Sequence, residues 1–216
     1  MSLVLWSGGC DSTLVLWDLL QKQSRNDPPI RTLSIDHFAV WAGKEQAAAR
    51  EKIMGVLRKQ GYRVENELVT IQCGDRTGLP SKGPSGSGTS GFRIPQAALW
   101  IGQAVEHLEP EENLYVGYIR GDDMWHHVQE WRWAFQYMAY LVGRTGNLFA
   151  PLEWSTKANV IERLRGAGLF PYCWTCSDPK DGKECGRCKE CMTQYLAVYE
   201  LSLKDGKSVK RSSRRC

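Results

Sequence analysis

No apolar run in the sequence approaches the ~20 residues needed to cross a bilayer, so no segment reads as a membrane-spanning helix. The opening MSLVLWSGG has no charged leader, so no signal peptide is expected and a cytoplasmic protein is. The excess of one sign of charge is small: the formal net charge is +4, and much of it sits in the C-terminal KDGKSVKRSSRRC. That tail has no aromatic residue to stack on a base, so it reads as a solvated basic tail rather than a nucleic-acid arm. There is no internal repeat, which excludes solenoids and propellers.

What is present describes a globular chain with a single main core. At 216 residues it can bury one substantial core with a small appendage. Apolar residues at 42% and charged residues at 24% are ordinary for such a domain, which sets disorder aside. Leu3–Leu5 is a short apolar strand ending at a glycine pair. An apolar-periodic helix over 14–20 follows, capped by Asp11 or Ser12 and stopped before the turn Asn26-Asp27-Pro28-Pro29. Strands over 31–35 and 64–71 bracket a helix over 44–59. Beyond the Gly/Ser-rich stretch 74–91, a linker or a mobile loop over a site, a helix over 95–107 and a strand over 114–118 are expected. Helices over 128–142 and 156–165 complete the pattern. Alternating strands and helices imply a doubly wound, mainly parallel α/β sheet of Rossmann-like type. The expected units are an α/β domain over 1–170, a small cysteine-rich module over 171–200 and the basic tail over 201–216.

Between the first strand and the first helix lies Ser7-Gly8-Gly9-Cys10-Asp11-Ser12. Ligands of open parallel sheets bind at this carboxyl edge. Two glycines allow a sharp turn and close backbone approach to an anion, and the helix behind them offers free N–H groups and its positive dipole end. Ser7 and Ser12 add hydroxyls, and Asp11 can hold Mg²⁺ or cap the helix. A plain Gly-rich turn with an N-cap is the competing reading, but the full SGGxDS string after an apolar strand is more specific than Gly-Gly alone. The loop has neither the GxxxxGKS/T nor the GxGxxG spacing. It resembles the pyrophosphate loop of the adenine-nucleotide alpha-hydrolase-like ATP pyrophosphatases, which implies cleavage of ATP to AMP and pyrophosphate. Asp36, after the second strand, stands where such folds approach adenine and ribose.

Of eight cysteines, Cys176, Cys185, Cys188 and Cys191 follow C-x8-C-x2-C-x2-C. Four thiolates close a tetrahedral shell, which fits a structural Zn²⁺; an iron–sulfur cluster uses the same ligands. Cys173 is a fifth candidate, while Cys10, Cys73 and Cys216 are unconnected to the motif.

The loop and the cysteine motif together resemble the 7-cyano-7-deazaguanine synthase family of queuosine biosynthesis, over about residues 3 to 195. The segment PLEWSTKANVI (151–161) and the spacing Glu130-x-Arg132-x-x-Phe135, preceded by Asp122-Asp123, match that family's pattern. The resemblance implies an ATP-dependent ligase that adenylates 7-carboxy-7-deazaguanine, lets ammonia displace AMP, and dehydrates the amide to the nitrile with a second ATP. It implies phosphate contacts from Lys157 and Arg93 and substrate contacts from Asp122, Asp123, Glu130 and Arg132. Structural Zn²⁺, Mg²⁺ with ATP, and a possible homodimer are implied too. Trp125, Trp131 and Trp133 can stack on the heterocycle or pack in the core. The chain departs from the family after Asp36 (His37-Phe-Ala-Val-Trp41), at Gly91–Pro95, and in carrying Glu130 for Asp. Those departures leave open an enzyme that stops at the amide, passes the activated group to another acceptor, or modifies tRNA. The non-enzymatic alternative is a zinc-knuckle nucleic-acid-binding protein.

Overall fold

The computed structural model describes residues 1–24, 26–37, 42–71, 96–122 and 125–205. Arg93, Asp123, Cys73, the Gly/Ser-rich stretch and the tail beyond residue 205 lie outside them.

Among the described residues, five parallel strands make one sheet: β1 (Ser2–Leu5), β2 (Ile30–His37), β3 (Val64–Ile71), β4 (Asn113–Tyr115) and β5 (Leu148–Phe149), in the order β3-β2-β1-β4-β5. The helices are α1 (Cys10–Leu20), α2 (Gly43–Lys59), α3 (Gln96–Glu106), α4 (Val128–Leu141), α5 (Lys157–Gly166) and α6 (Lys189–Lys204). Side-chain alternation along β1 divides the interior in two. Leu3 joins Ile101, Leu114 and Phe135 on the face covered by α3 and α4. Val4 and Trp6 join Leu14, Ile53 and Val160 on the face covered by α1, α2 and α5. The sheet is therefore doubly wound, and each fully buried Leu, Ile or Val contributes about 1.5–3 kcal/mol.

The strand order reverses between β1 and β4, and the crevice there holds the SGGCDS loop. β4 ends at Tyr115, short of the expected Tyr118, because the chain must pass the start of α1. A Cβ on Gly117 would lie 2.6 Å from the Ser12 nitrogen and 2.8 Å from the Asp11 carbonyl carbon. Only glycine lets that segment close on the loop.

Two elements were not expected from the sequence pattern. β5 has two residues, too few for alternation to show. α6 begins inside the cysteine spacing, with the Cys188 side chain capping it by accepting from the Cys191 N–H. Ala197 and Leu201 of α6 pack on Ala158 and Ile161 of α5, which fastens the cysteine module to the sheet domain. Among the described residues, no helix is long and apolar enough to cross a membrane.

Candidate functional site

Trp6, the last residue before the loop, is buried, and its indole N–H donates to Thr13 Oγ1 at 3.1 Å. This bond ties the end of β1 to the second turn of α1. Gly8 takes φ +85°, and a Cβ there would sit 3.0 Å from the Gln46 carbonyl oxygen, so the left-handed turn and the space both demand glycine. The Ser7 hydroxyl accepts from the Gly9 N–H at 3.2 Å and lies 3.2 Å from the Ser12 hydroxyl.

Asp11 and Ser12 do not cap α1 as the sequence suggests. The N-cap is Gly9, with no side-chain capping bond, and both residues lie inside the first turn. A glycine cap leaves first-turn N–H groups without a side-chain acceptor, the arrangement that suits an anion.

Asp11 turns instead to Lys157, whose Nζ donates to Asp11 Oδ2 at 2.7 Å. Lys157 is the first residue of α5, placed by a capping box in which Thr156 and Asn159 satisfy each other's backbone N–H groups. Burial alone would lower the Lys157 pKa, but the Asp11 carboxylate overrules it and holds the ammonium above its usual range. Among the described residues, the buried Asp11 Oδ1 has no hydrogen-bond partner. Beside this pair, the Cys10 thiol is held below the usual thiol range, chiefly by a hydrogen bond from Cys173 and also by Lys157. That bond and burial raise the Cys173 thiol in turn.

Two cavities flank the loop. The first, of about 160 Å³, lies over the sheet edge, with Leu5, Leu33, Ile35, Trp100 and Val116 as apolar walls. Burial keeps the phenol of Tyr118, also in its lining, neutral by raising its pKa. The second, of about 250 Å³, is polar and lined by Arg120, Lys157, Thr175, Lys189 and Glu190. Ser7, Gly9, Asp11, Gln46 and Asp122 line both. An apolar slot beside an anion-binding loop can take a base, and the polar chamber across it, where Arg120, Lys157 and Lys189 face Asp11, Asp122 and Glu190, can take a polar group.

Thr175 and Lys189, in the second cavity, neighbour the cysteine cluster. The sulfurs of Cys176, Cys185, Cys188 and Cys191 lie within 4.8 Å of one another, so the cluster can hold a metal ion. Backbone N–H groups of Cys185, Cys188 and Cys191 point at the sulfurs of Cys176, Cys185 and Cys188 at 3.3–3.4 Å. Cys173 is not in this group.

The other expected residues scatter. Asp36 lies within β2 rather than after it, and Arg50 Nη2 sits 3.4 Å from its Oδ1. Arg132 donates to Glu153 Oε2 at 2.9 Å, and Glu130 is exposed; neither lines the two cavities. Trp131 packs on the core and Trp133 is exposed, while Trp125 meets Trp154 edge-on at 5.7 Å.

Arg50 escaped sequence reasoning. It is only 5% exposed, and its Nη1 also reaches the Ser7 carbonyl oxygen at 3.4 Å, propping the loop from below. A signal existed: Arg50 falls on the buried stripe of α2 with Ala49, Ile53 and Leu57, where a charge needs a partner. Gly117, Gln46, Trp174 and Lys189 had no comparable signal.

No protein-family model matches the chain, and no curated protein does. Among solved structures, it resembles the U34-tRNA thiolase NcsA from Methanococcus maripaludis, solved with its 4Fe-4S cluster. The identity is 14% and the TM-score 0.48, over 100% of this chain and 75% of that one. At these values the likeness assigns no function to the chain.

Proposed function

We propose that the chain is an ATP pyrophosphatase-type ligase that adenylates the carboxylate of a 7-deazaguanine and passes it to ammonia. The reading is carried by the glycine-capped start of α1, set at the switch point of the sheet beside the Asp11–Lys157 pair. Mg-ATP lays its base in the apolar cavity and its phosphates on the loop. The carboxylate of 7-carboxy-7-deazaguanine, bound in the polar cavity, attacks the α-phosphorus, and pyrophosphate leaves. Lys157, with Arg93 as a second candidate, offsets the charge that develops on the leaving group. Ammonia then attacks the acyl carbon and AMP departs, giving the amide. In a second cycle the amide oxygen is adenylated, and loss of AMP and a proton gives the nitrile.

Asp122, which lines both cavities, is the first candidate to accept hydrogen bonds from the amino edge of the substrate, with Asp123, Glu130 and Arg132 the further candidates from the resemblance. Zn²⁺ fits the four cysteines better than an iron–sulfur cubane. A Zn–S bond of about 2.3 Å spaces tetrahedral sulfurs by less than 4 Å, whereas the separated irons of a cubane spread their thiolates wider. The 3.9 Å between the Cys176 and Cys188 sulfurs matches the smaller shell. The metal's contribution is structural.

The test incubates the protein with Mg-ATP and 7-carboxy-7-deazaguanine, with and without ammonium, and follows products by mass spectrometry. AMP that requires the acid is expected, with amide and nitrile requiring ammonium. AMP that forms equally without the acid overturns the substrate, and no AMP under any condition overturns the enzyme. An acid-dependent AMP with a heavier conjugate in place of amide would mark a different acceptor.

A further inference from the structure

Trp154 is the most exposed tryptophan among the described residues, at 73%, and neither the metal cluster nor the lining of the two cavities includes it. A lone apolar residue on a surface needs no explanation. Trp154 is not alone. Its ring meets Trp125 edge-on at an interplanar angle of 87°, and His126 lies against Trp125 at 4.8 Å. The Arg120 guanidinium lies over the Trp125 ring, 6.0 Å from its centroid, a cation–π contact that steadies both.

Hydrogen bonds fasten this cluster to the wall of the polar cavity. Ile119, Arg120, Gly121 and Asp122 line that cavity, and Gly121 turns the segment with a φ of +87°. The Trp125 N–H donates to the Asp122 carbonyl oxygen at 3.0 Å, and the Arg120 N–H to the Ser155 carbonyl oxygen at 3.0 Å. The Ser155 N–H donates in turn to the Leu152 carbonyl oxygen at 2.8 Å, closing the turn that carries Trp154. That turn leads through Thr156 to Lys157, which lines the cavity. The two indoles therefore stand at the rim, outside the lining and against the segment that forms it.

We infer that Trp154, braced by Trp125, is a stacking platform at the mouth of the polar cavity for the flat, purine-like ring of the acid substrate. An indole offers a large polarisable face to any flat heterocycle, and such stacking needs no hydrogen-bond match. The edge-on brace fixes the indole while most of its surface stays open, so little rotamer freedom is lost when a ligand arrives. The carboxylate enters the polar chamber, and the heterocycle stays at its mouth beside Asp122. This assignment rests on the proposed substrate.

The experiment titrates the full-length, metal-loaded protein with 7-carboxy-7-deazaguanine, with and without a non-hydrolysable Mg-ATP analogue, by calorimetry and tryptophan fluorescence. Steady-state kinetics follow AMP. W154A should raise Kd and KM for the acid about tenfold. Its kcat should stay within about threefold of the parent, with Mg-ATP affinity, metal content and thermal midpoint unchanged. W154F should recover most of the affinity, because stacking needs a flat ring, whereas the apolar W154L should not. The chain has nine tryptophans, so the quench on binding is read as the difference between parent and W154F. A parent-like W154A that still turns over the acid overturns the platform and leaves the proposed reaction standing. W154L matching W154F, or W154A losing Mg-ATP affinity as well, overturns stacking in favour of plain packing. Binding that depends on Trp154 but yields no AMP keeps the platform and overturns the reaction. No binding of the acid by the parent overturns both.

Discussion

The two walls of the site are built on different physics. On the sheet side, the apolar cavity stands on strand ends whose side chains run into two hydrophobic cores, so its shape follows from burial. On the other side, Thr175 and Lys189 sit next to four cysteines, on a module docked through Ala158, Ile161, Ala197 and Leu201. Four small or medium side chains, with Phe170 and Val198 packed against them, bury less than a full core, so a metal held by the four thiols is expected to stabilise that wall. A site so divided should come apart along its seam, keeping one half when the other is lost.

Metal removal should divide it most sharply. C188S deletes one thiolate and the cap of α6 together. Structural zinc in small modules is worth about 10–16 kcal/mol of apparent binding energy. Activity should fall below detection and metal analysis should give less than one ion per chain, while Mg-ATP affinity stays within about threefold of the parent. Equal loss of ATP binding would show that the two walls are one unit.

Gly117→Ala attacks the sheet wall instead. Its Cβ would meet backbone at 2.6 Å, which cannot yield as a flexible side chain would. Destabilisation of about 2–4 kcal/mol is expected by denaturant titration, with Mg-ATP binding lost and metal content unchanged. Gly102→Ala in α3 provides the opposite sign. Its Cβ meets only the Met138 sulfur at 4.0 Å, so it should stabilise by about 0.5–1 kcal/mol.

Lys157→Ala acts at the seam. Removing a preorganised charge from a developing anion costs about 10²–10³ in kcat/KM, with metal content preserved. The folded pKa of Lys157 lies above its ordinary 10.5, so the ion pair's stabilisation is complete below that value. It is lost only as pH rises through the higher folded pKa. The activity profile should therefore show no step from this group between pH 6 and about 10; a step there would mean that Asp11 does not hold it.

The smallest effects should come from α4. Arg132→Ala breaks only the part-exposed pair with Glu153, worth about 0–1 kcal/mol. With Glu130→Gln it should leave KM for the acid within about threefold. A larger rise in KM would bring α4 into the substrate site.

Much of this was legible along the chain, and the reasons are local. Apolar runs and periodicity marked β1 to β4 and helices α1 to α5, most of which bury a face at fixed spacing; β3, an edge strand with no fully buried residue, was legible from its alternation alone. Boundaries failed where a neighbour intervened, at the shortened β4 beside α1 and at the start of α1, where Gly9 rather than Asp11 or Ser12 is the cap. β5 and α6 were missed because one is too short to alternate and the other opens among metal-type residues.

By itself the sequence determined what neighbouring residues can do: the glycine turn at Gly8, the anion-ready start of α1, and four thiols spaced for one metal ion. Steric freedom and ligand spacing act over a few residues, so they are written in order along the chain. Only the tertiary structure decided that Lys157 faces Asp11, that Arg50 props Ser7, that Gly117 closes on Ser12, and that Trp174 closes on Gly8. Those contacts join segments far apart in the chain, and the packing of helices on both faces of the sheet is what brings them together.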